Sequence, residues 1–346
     1  MRRHLNTLFV TLEGAYLHKQ GEAVEVRHSG ESKLRIPLHN LESICTFGWD
    51  TTASASLMHF CAEAGVALSF HSPHGKFLAS SRGPQNGNVL LRRAQYRAAD
   101  LESASLEIAS RCVTAKLANC RTVLMRGSRD HGTRDAERAF KLQQAADALQ
   151  IRIGLATRTT TLDSLRGVEG DGATAYFSAL PSLLVNADPA IRFTGRSRRP
   201  PLDPANALLS FLYTLLSHDV ASACESQGLD PQCGFLHRDR PGRPSLALDL
   251  MEEFRPVLAD RAAFTLLNRQ QITARDFDFH ENGAVTLKEA SRKVVLQHWQ
   301  ERKQDEILHP YIQEKTTIGL LPFLQTRLLA RHLRGDLDAY PAFILK

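Results

Sequence analysis

Two rhythms of apolar and polar positions run along this chain. Over residues 6–80 the apolar residues come in short β-type runs: Leu8–Leu12, Ala23–Val26, Leu34–Leu38, Ser43–Phe47 and Val66–Phe70. Gly14, Gly21, Gly30 and Gly75 fall between these runs or at their ends, where hairpin connections need turn-forming residues. One helix is predicted among them, Thr52–Ala64, with Gly65 as its left-handed C-cap.

After the loop Ser80–Asn88 (SSRGPQNGN) the period becomes helical. From Val89 the chain is rich in Ala, Leu, Arg and Gln, with few turn signals before Gly127. This predicts an α+β protein: a small N-terminal β-sandwich-like domain over 1–82, a linker at 83–88 and a larger all-α domain over 89–346. The best-marked helix starts after Asp203. That residue can cap it and Pro204 suits its first turn. Leu208, Phe211, Leu212, Leu215 and Leu216 form an apolar stripe, and Gly228 marks the stop.

Composition narrows the class. The 346 residues are 43% hydrophobic and 23% charged, as in a folded globular protein and unlike a disordered one. The apolar runs are short and interrupted, which argues against a membrane span. The opening MRRHLNTLFVTLEG has too short an apolar stretch for a secretory leader, so a cytoplasmic protein is expected. Cys45, Cys61, Cys112, Cys120, Cys224 and Cys233 form no C-x-x-C pair and read as reduced thiols.

The net charge of +6 is modest, but its placement is informative. Arginines gather at Arg82, Arg92, Arg93 and Arg97, and again at Arg192, Arg196, Arg198 and Arg199. The second group sits beside prolines, in a loop rather than on a solvated helix face. The planar guanidinium suits phosphate bidentately, so these positions are candidate phosphate contacts, with a merely soluble basic loop as the alternative reading of the charge.

Three local features carry candidate chemistry. In LRGVEGDGATAYF, Glu169 stands between Gly167 and Gly170 at the predicted entry to a helix, where a carboxylate can also serve as a cap. In GLDPQCGFLHRDRPGRPSLALDL, His237 precedes a basic, turn-rich loop. On the helix predicted from about Ser245, Asp249 and Glu252 are spaced to project from one face, and Glu253 to border it. Read singly, each has an ordinary structural explanation. Read together, carboxylates beside Leu246, Leu248, Leu250 and Met251 repel one another and call for a neutralising cation or donors. Oxygen ligands with one imidazole and no cysteine suit Mg²⁺ or Mn²⁺. Such an ion can bind a phosphate oxygen and assist an in-line displacement, as in a metallonuclease. A zinc hydrolase acting on small molecules fits less well, since no H-E-x-x-H motif is present.

These motifs also carry a resemblance. LRGVEG, the stretch Arg198–Tyr213 (RRPPLDPANALLSFLY) and the stretch Gly228–Pro256 resemble the CRISPR-associated spacer-acquisition endonuclease/integrase, the first of the Cas proteins, in a form similar to that of subtype I-C systems. Matched to that family, Glu169, His237 and Glu252 are the metal ligands and Asp249 is a supporting catalytic residue. The resemblance implies a dimer-forming β domain and a helical catalytic domain. It implies metal-assisted attack of a captured fragment's 3′-hydroxyl on a phosphodiester at the CRISPR repeat, with branched double-stranded and protospacer DNA as substrates. Two homodimers bridged by the small second Cas protein, a heterohexamer, are the implied assembly. The competing expectation is a non-catalytic DNA-binding scaffold whose acidic cluster holds no metal.

Overall fold

The computed structural model describes residues 6–73, 77–81, 83, 89–132, 135–185, 188 and 190–345. Arg82 and, apart from Gly83, the predicted linker lie outside the described residues.

The N-terminal part runs β1 (Thr7–Val10), β2 (Tyr16–Gln20), β3 (Ala23–His28), β4 (Glu31–Pro37), β5 (Ser43–Phe47), β6 (Thr52–Ala53), α1 (Ala55–Ala64), β7 (Ala67–His71) and β8 (Phe77–Ser81). The strands form two four-stranded sheets, β1-β5-β7-β8 and β4-β3-β2-β6. The first sheet is parallel from β1 through β5 to β7. Both sheets and α1 share one core, in which Leu8, Ile44 and Leu68 meet Leu17, Val24 and Leu57. The predicted helix starts three residues late, because Thr52 and Ala53 pair with β2 instead. Ser54 then caps α1 and Gly65 closes it in the left-handed conformation.

The helical part runs α2 (Val89–Asp100), α3 (Glu102–His131), α4 (Ala136–Ala156), α5 (Leu162–Ala179), α6 (Pro204–Ser226), α7 (Ser245–Met251), a π-helical segment Arg255–Asp260 and α8 (Arg261–Asn268). There follow β9 (Phe277–Phe279), β10 (Val285–Leu287), α9 (Glu289–Gln304), β11 (Glu306–Leu308), β12 (Lys315–Thr317) and α10 (Leu321–Leu333). The expectation of an all-α part is therefore corrected by two antiparallel hairpins, β9–β10 and β11–β12. Gly127 lies inside α3 rather than at its end. Its intrinsic cost in a helix, about 1 kcal/mol, is small beside the packing of α3 along α4.

Helix α6 forms as its signals predict, with the Asp203 carboxylate accepting from the Asn206 N–H and Pro204 in the first turn. It has the length and apolarity of a membrane span, yet 56% of that stretch is buried inside the protein. Its apolar stripe belongs to the large core that α3, α4 and α5 share. Phe47 of β5 packs on Phe211 of α6, ring centroids 5.8 Å apart, so the strand-rich part is seated on this helix. One further contact positions the site. Gly172 of α5 faces Leu117 of α3 so closely that a Cβ would come within 2.2 Å of Leu117 Cδ2. The missing side chain lets α5 lie against α3 one turn beyond Glu169.

Candidate functional site

Glu169 is not a helix cap. Thr161 caps α5, and Glu169 sits in the helix interior, half-buried, on the side facing α3. There it meets a side chain with no counterpart among the sequence candidates. Lys116 of α3, about 5% exposed, donates a short hydrogen bond to Glu169 Oε1 and lies 2.8 Å from Glu252 Oε2. Glu252 itself stands at the C-terminal end of α7, and its other oxygen accepts from Arg255 Nη1 at 2.6 Å. Arg255 in turn lies 4.2 Å over the ring of Tyr213. Tyr213 donates to Asp260 Oδ1 at 2.5 Å, and Tyr176 donates to Asp260 Oδ2 at 2.9 Å. Burial opposes the charge on Glu252, but Arg255 and Lys116, with His237 contributing, hold its pKa well below the usual carboxylate range. Burial likewise works against the Lys116 ammonium, and the two glutamates more than offset it, raising its pKa.

Asp249 has a different task from Glu252. It is about 1% exposed, and both its oxygens are engaged with the segment 235–237. Oδ2 accepts from the Phe235 and Leu236 N–H groups at 2.6 and 2.9 Å; Oδ1 accepts from the His237 N–H at 3.0 Å. Oδ1 also accepts from His237 Nδ1 at 2.6 Å. An ionised carboxylate oxygen only accepts, so Nδ1 carries the proton, and in the neutral ring Nε2 presents a lone pair. Carboxylate–histidine pairing of this kind orients imidazole ligands in metal sites. Gly234 makes the approach feasible, since a Cβ there would fall 2.7 Å from Asp249 Oδ2 and 2.8 Å from the Ser245 carbonyl carbon.

The histidine segment is fastened to α5 as well. Arg166 Nε donates to the Leu236 carbonyl at 2.8 Å, and Asp163 Oδ1 takes hydrogen bonds from Arg166 and from Arg238 at 2.6 and 2.9 Å. Glu169, one turn after Arg166, is thereby brought to the same region as His237.

Glu253 does not border this face, because α7 ends at Met251 and the chain turns. Its carboxylate faces the opposite way, accepting from Tyr340 OH and the Phe343 N–H, each at 2.7 Å, and from Gln325 at 3.2 Å. Asn119, one turn after Lys116, completes the tie. It donates to the Glu253 and Phe343 carbonyls at 2.8 and 2.9 Å, and accepts from the Leu345 N–H at 2.8 Å.

Of the arginine candidates, Arg192, Arg198 and Arg199 are exposed, as is Arg93, while Arg92 is half-buried. Arg196 is committed to the fold. It hydrogen-bonds Asn206 Oδ1 at 2.7 Å, Ser210 Oγ at 3.1 Å and the Ser197 carbonyl, and lies 5.3 Å over the Tyr213 ring. That removes it from the set of free phosphate contacts. Arg192 and Arg196 line a hollow of about 420 Å³ with Gly195, Ser197, Asp203 and Phe279.

Among the described residues, no three His, Cys, Asp or Glu side chains converge tightly enough to hold an ion. The residues nonetheless fit a hard divalent ion by chemistry. Glu169 and Glu252 supply oxygen donors, Glu252 Oε2 is a buried acceptor that no donor meets with hydrogen-bond alignment, and His237 offers Nε2.

Comparison places this architecture in a class. The fold is that of a Cas1 protein from Thermotoga maritima, matched with a TM-score of 0.82 at 22% identity over 99% of this chain and 100% of that one. It is shared with a casposase solved bound to an integration product, TM-score 0.84 at 21% identity over 99% and 95% of the two chains. At the sequence level, the family model for CRISPR associated protein Cas1 matches residues 8–301. A relative from Chlorobaculum tepidum, named CRISPR-associated endonuclease Cas1 1, is 50% identical over 99% of both chains. The chain belongs to the Cas1 family.

Proposed function

We propose that this chain is a divalent-metal-dependent DNA endonuclease and integrase of CRISPR adaptation, inserting captured DNA fragments at the repeat by 3′-hydroxyl attack on a phosphodiester. The observation that carries the metal site is the Asp249–His237 pair, which fixes the imidazole tautomer and leaves Nε2 available in the region of Glu252 and Glu169. Half-buried Glu169 and His237 form the accessible side of the site; Glu252 and Asp249 form its floor.

Glu169, Glu252 and His237 Nε2 are the groups that would hold Mg²⁺ or Mn²⁺. When bound, the ion polarises a phosphate oxygen and eases ionisation of the attacking hydroxyl. The protein's own part is positional. Arg255 fixes the Glu252 rotamer, Asp249 orients His237, and Arg166 holds the His237 segment on the helix that bears Glu169. Exposed Arg192, Arg198, Arg199 and Arg93, with Arg92, supply phosphate contacts along a duplex. Assembly as homodimers joined by the second Cas protein follows from the family reading.

The test is strand cutting and strand transfer on branched and repeat-containing DNA with Mn²⁺ or Mg²⁺. Glu252→Gln and His237→Ala, checked for intact folding by circular dichroism, should reduce turnover by 10²-fold or more, an order-of-magnitude expectation for loss of a metal ligand or of comparable electrostatic stabilisation. Full activity in both variants refutes the assignment. A wild type that binds DNA but neither cuts nor joins it, and takes up no Mn²⁺ in calorimetry, supports the scaffold instead.

A further inference from the structure

We propose that Lys116 is a resident cation of this site: its ammonium holds Glu169 and Glu252 together in the absence of a divalent ion, and an incoming ion takes its place between them. The inference rests on the metal-site reading and deepens it.

Lys116 lies on a mostly apolar stripe of α3, with Cys112, Val113, Leu117 and Cys120 all buried beside it. An ammonium taken out of water in such surroundings costs several kcal/mol unless it is closely paired. Here it is paired twice, with Glu169 Oε1 and Glu252 Oε2. The pairs are unequal. The bond to Glu169 has hydrogen-bond geometry. The contact to Glu252 is ionic only and leaves Oε2 as a buried acceptor with no aligned donor. Glu252 Oε1 is already served by Arg255, so Lys116 is the second cation on that carboxylate but the principal one on Glu169.

The four groups, two carboxylates and two cations, are neutral together. A divalent ion added to all four would give them two excess positive charges in a largely buried space, offset only in part by the Asp249 carboxylate behind His237. Withdrawal of the ammonium relieves the repulsion and frees an oxygen on each glutamate. Lys116 can withdraw because its charge sits on a stem of four rotatable carbons, whereas Arg255 is held by its position over Tyr213. The Glu169 side is the more open one, since its side chain is 26% exposed against 7% for Glu252.

Mn²⁺ titration calorimetry and thermal unfolding of Lys116→Met provide the test. The metal-free variant should melt below wild type, since two carboxylates lose their shared counter-charge. It should bind Mn²⁺ about tenfold more tightly or better, because the competitor is gone, and Mn²⁺ should raise its melting temperature more than it raises that of wild type. Unchanged or weaker Mn²⁺ binding by folded Lys116→Met overturns the inference while leaving the metal site intact. A wild type that binds no Mn²⁺ sinks the metal-site reading and the inference with it. If the variant does not fold, wild-type crystals soaked in Mn²⁺ decide. Nζ withdrawn beyond hydrogen-bond reach of at least one glutamate supports displacement; Nζ still bridging both, with Mn²⁺ bound alongside, overturns it.

Discussion

Arg166 Nε donates to the carbonyl of Leu236 at 2.8 Å, and this one bond ties the helix bearing Glu169 to the residue before His237. The two candidate ligands are remote in sequence and sit on elements that no short connection joins. Arg166→Ala should leave the fold intact at a cost of about 1 kcal/mol. It should weaken Mn²⁺ binding and strand transfer by roughly 10–100-fold, as loss of outer-shell support does in metal sites. Wild-type Mn²⁺ affinity in the variant would show that α5 and the histidine segment are held by other means.

Asp249→Asn keeps the shape of a side chain that now accepts from three backbone N–H groups and an imidazole. An amide can turn only one oxygen to these donors and opposes its own NH₂ to the rest. A stability loss of roughly 2–3 kcal/mol is expected in denaturant unfolding, with a further loss of metal affinity because the imidazole tautomer is no longer fixed. A variant as stable as wild type would contradict the role given to Asp249.

The arginine loop divides into two kinds of residue. Joint replacement of exposed Arg192, Arg198 and Arg199 by Ala should lower DNA affinity and flatten the slope of log K against log salt by about 2–3, with no change in melting temperature. Arg196→Ala should do the reverse, destabilising the protein by roughly 1–3 kcal/mol through its lost bonds to Asn206 and Ser210. Equal effects of the two variants on the salt slope would refute this division.

His71, on β7 and outside the set of candidate ligands, gives the fold an acid limit. Burial first, then neighbouring His218, pull its pKa down to about 3, below an unfolded value near 6.5. The neutral ring is therefore favoured in the fold. Its contribution is full above pH 6.5 and is lost as pH falls towards 3, at about 1.4 kcal/mol per pH unit. His71→Phe, which can retain the stack on Phe47, should flatten the decline in stability between pH 6 and 4. An unchanged pH profile would mean that other groups set the limit.

Where a sequence pattern was continuous, it was legible. Strand β5 matches the run Ser43–Phe47 because every position in it is buried, and α6 follows its cap and stripe. Strand β2 was not legible, since YLHKQ offers little apolar signal and forms through pairing with β3. The three-residue strands β9–β12 are too short for any period to emerge. In the site, the spacing of Asp249 and Glu252 promised a shared face with Glu253 at its edge, but the Glu253 part of that argument needs a helix that continues, and α7 stops before Glu252. Lys116 could have been noticed as a lone lysine on the apolar stripe of α3. Its partners could not, because they depend on how closely Gly172 lets two helices approach.

The segment 340–345 acts as a wedge behind both carboxylates. Through Asn119 it grips α3 one turn from Lys116, and through Glu253 it grips the residue next to Glu252. Cleavage at Asp338, or any change that unseats Phe343, would therefore loosen the proposed site from behind without touching any of its proposed ligands. Preparations in which segment 340–345 is seated to different degrees would differ in catalytic quality.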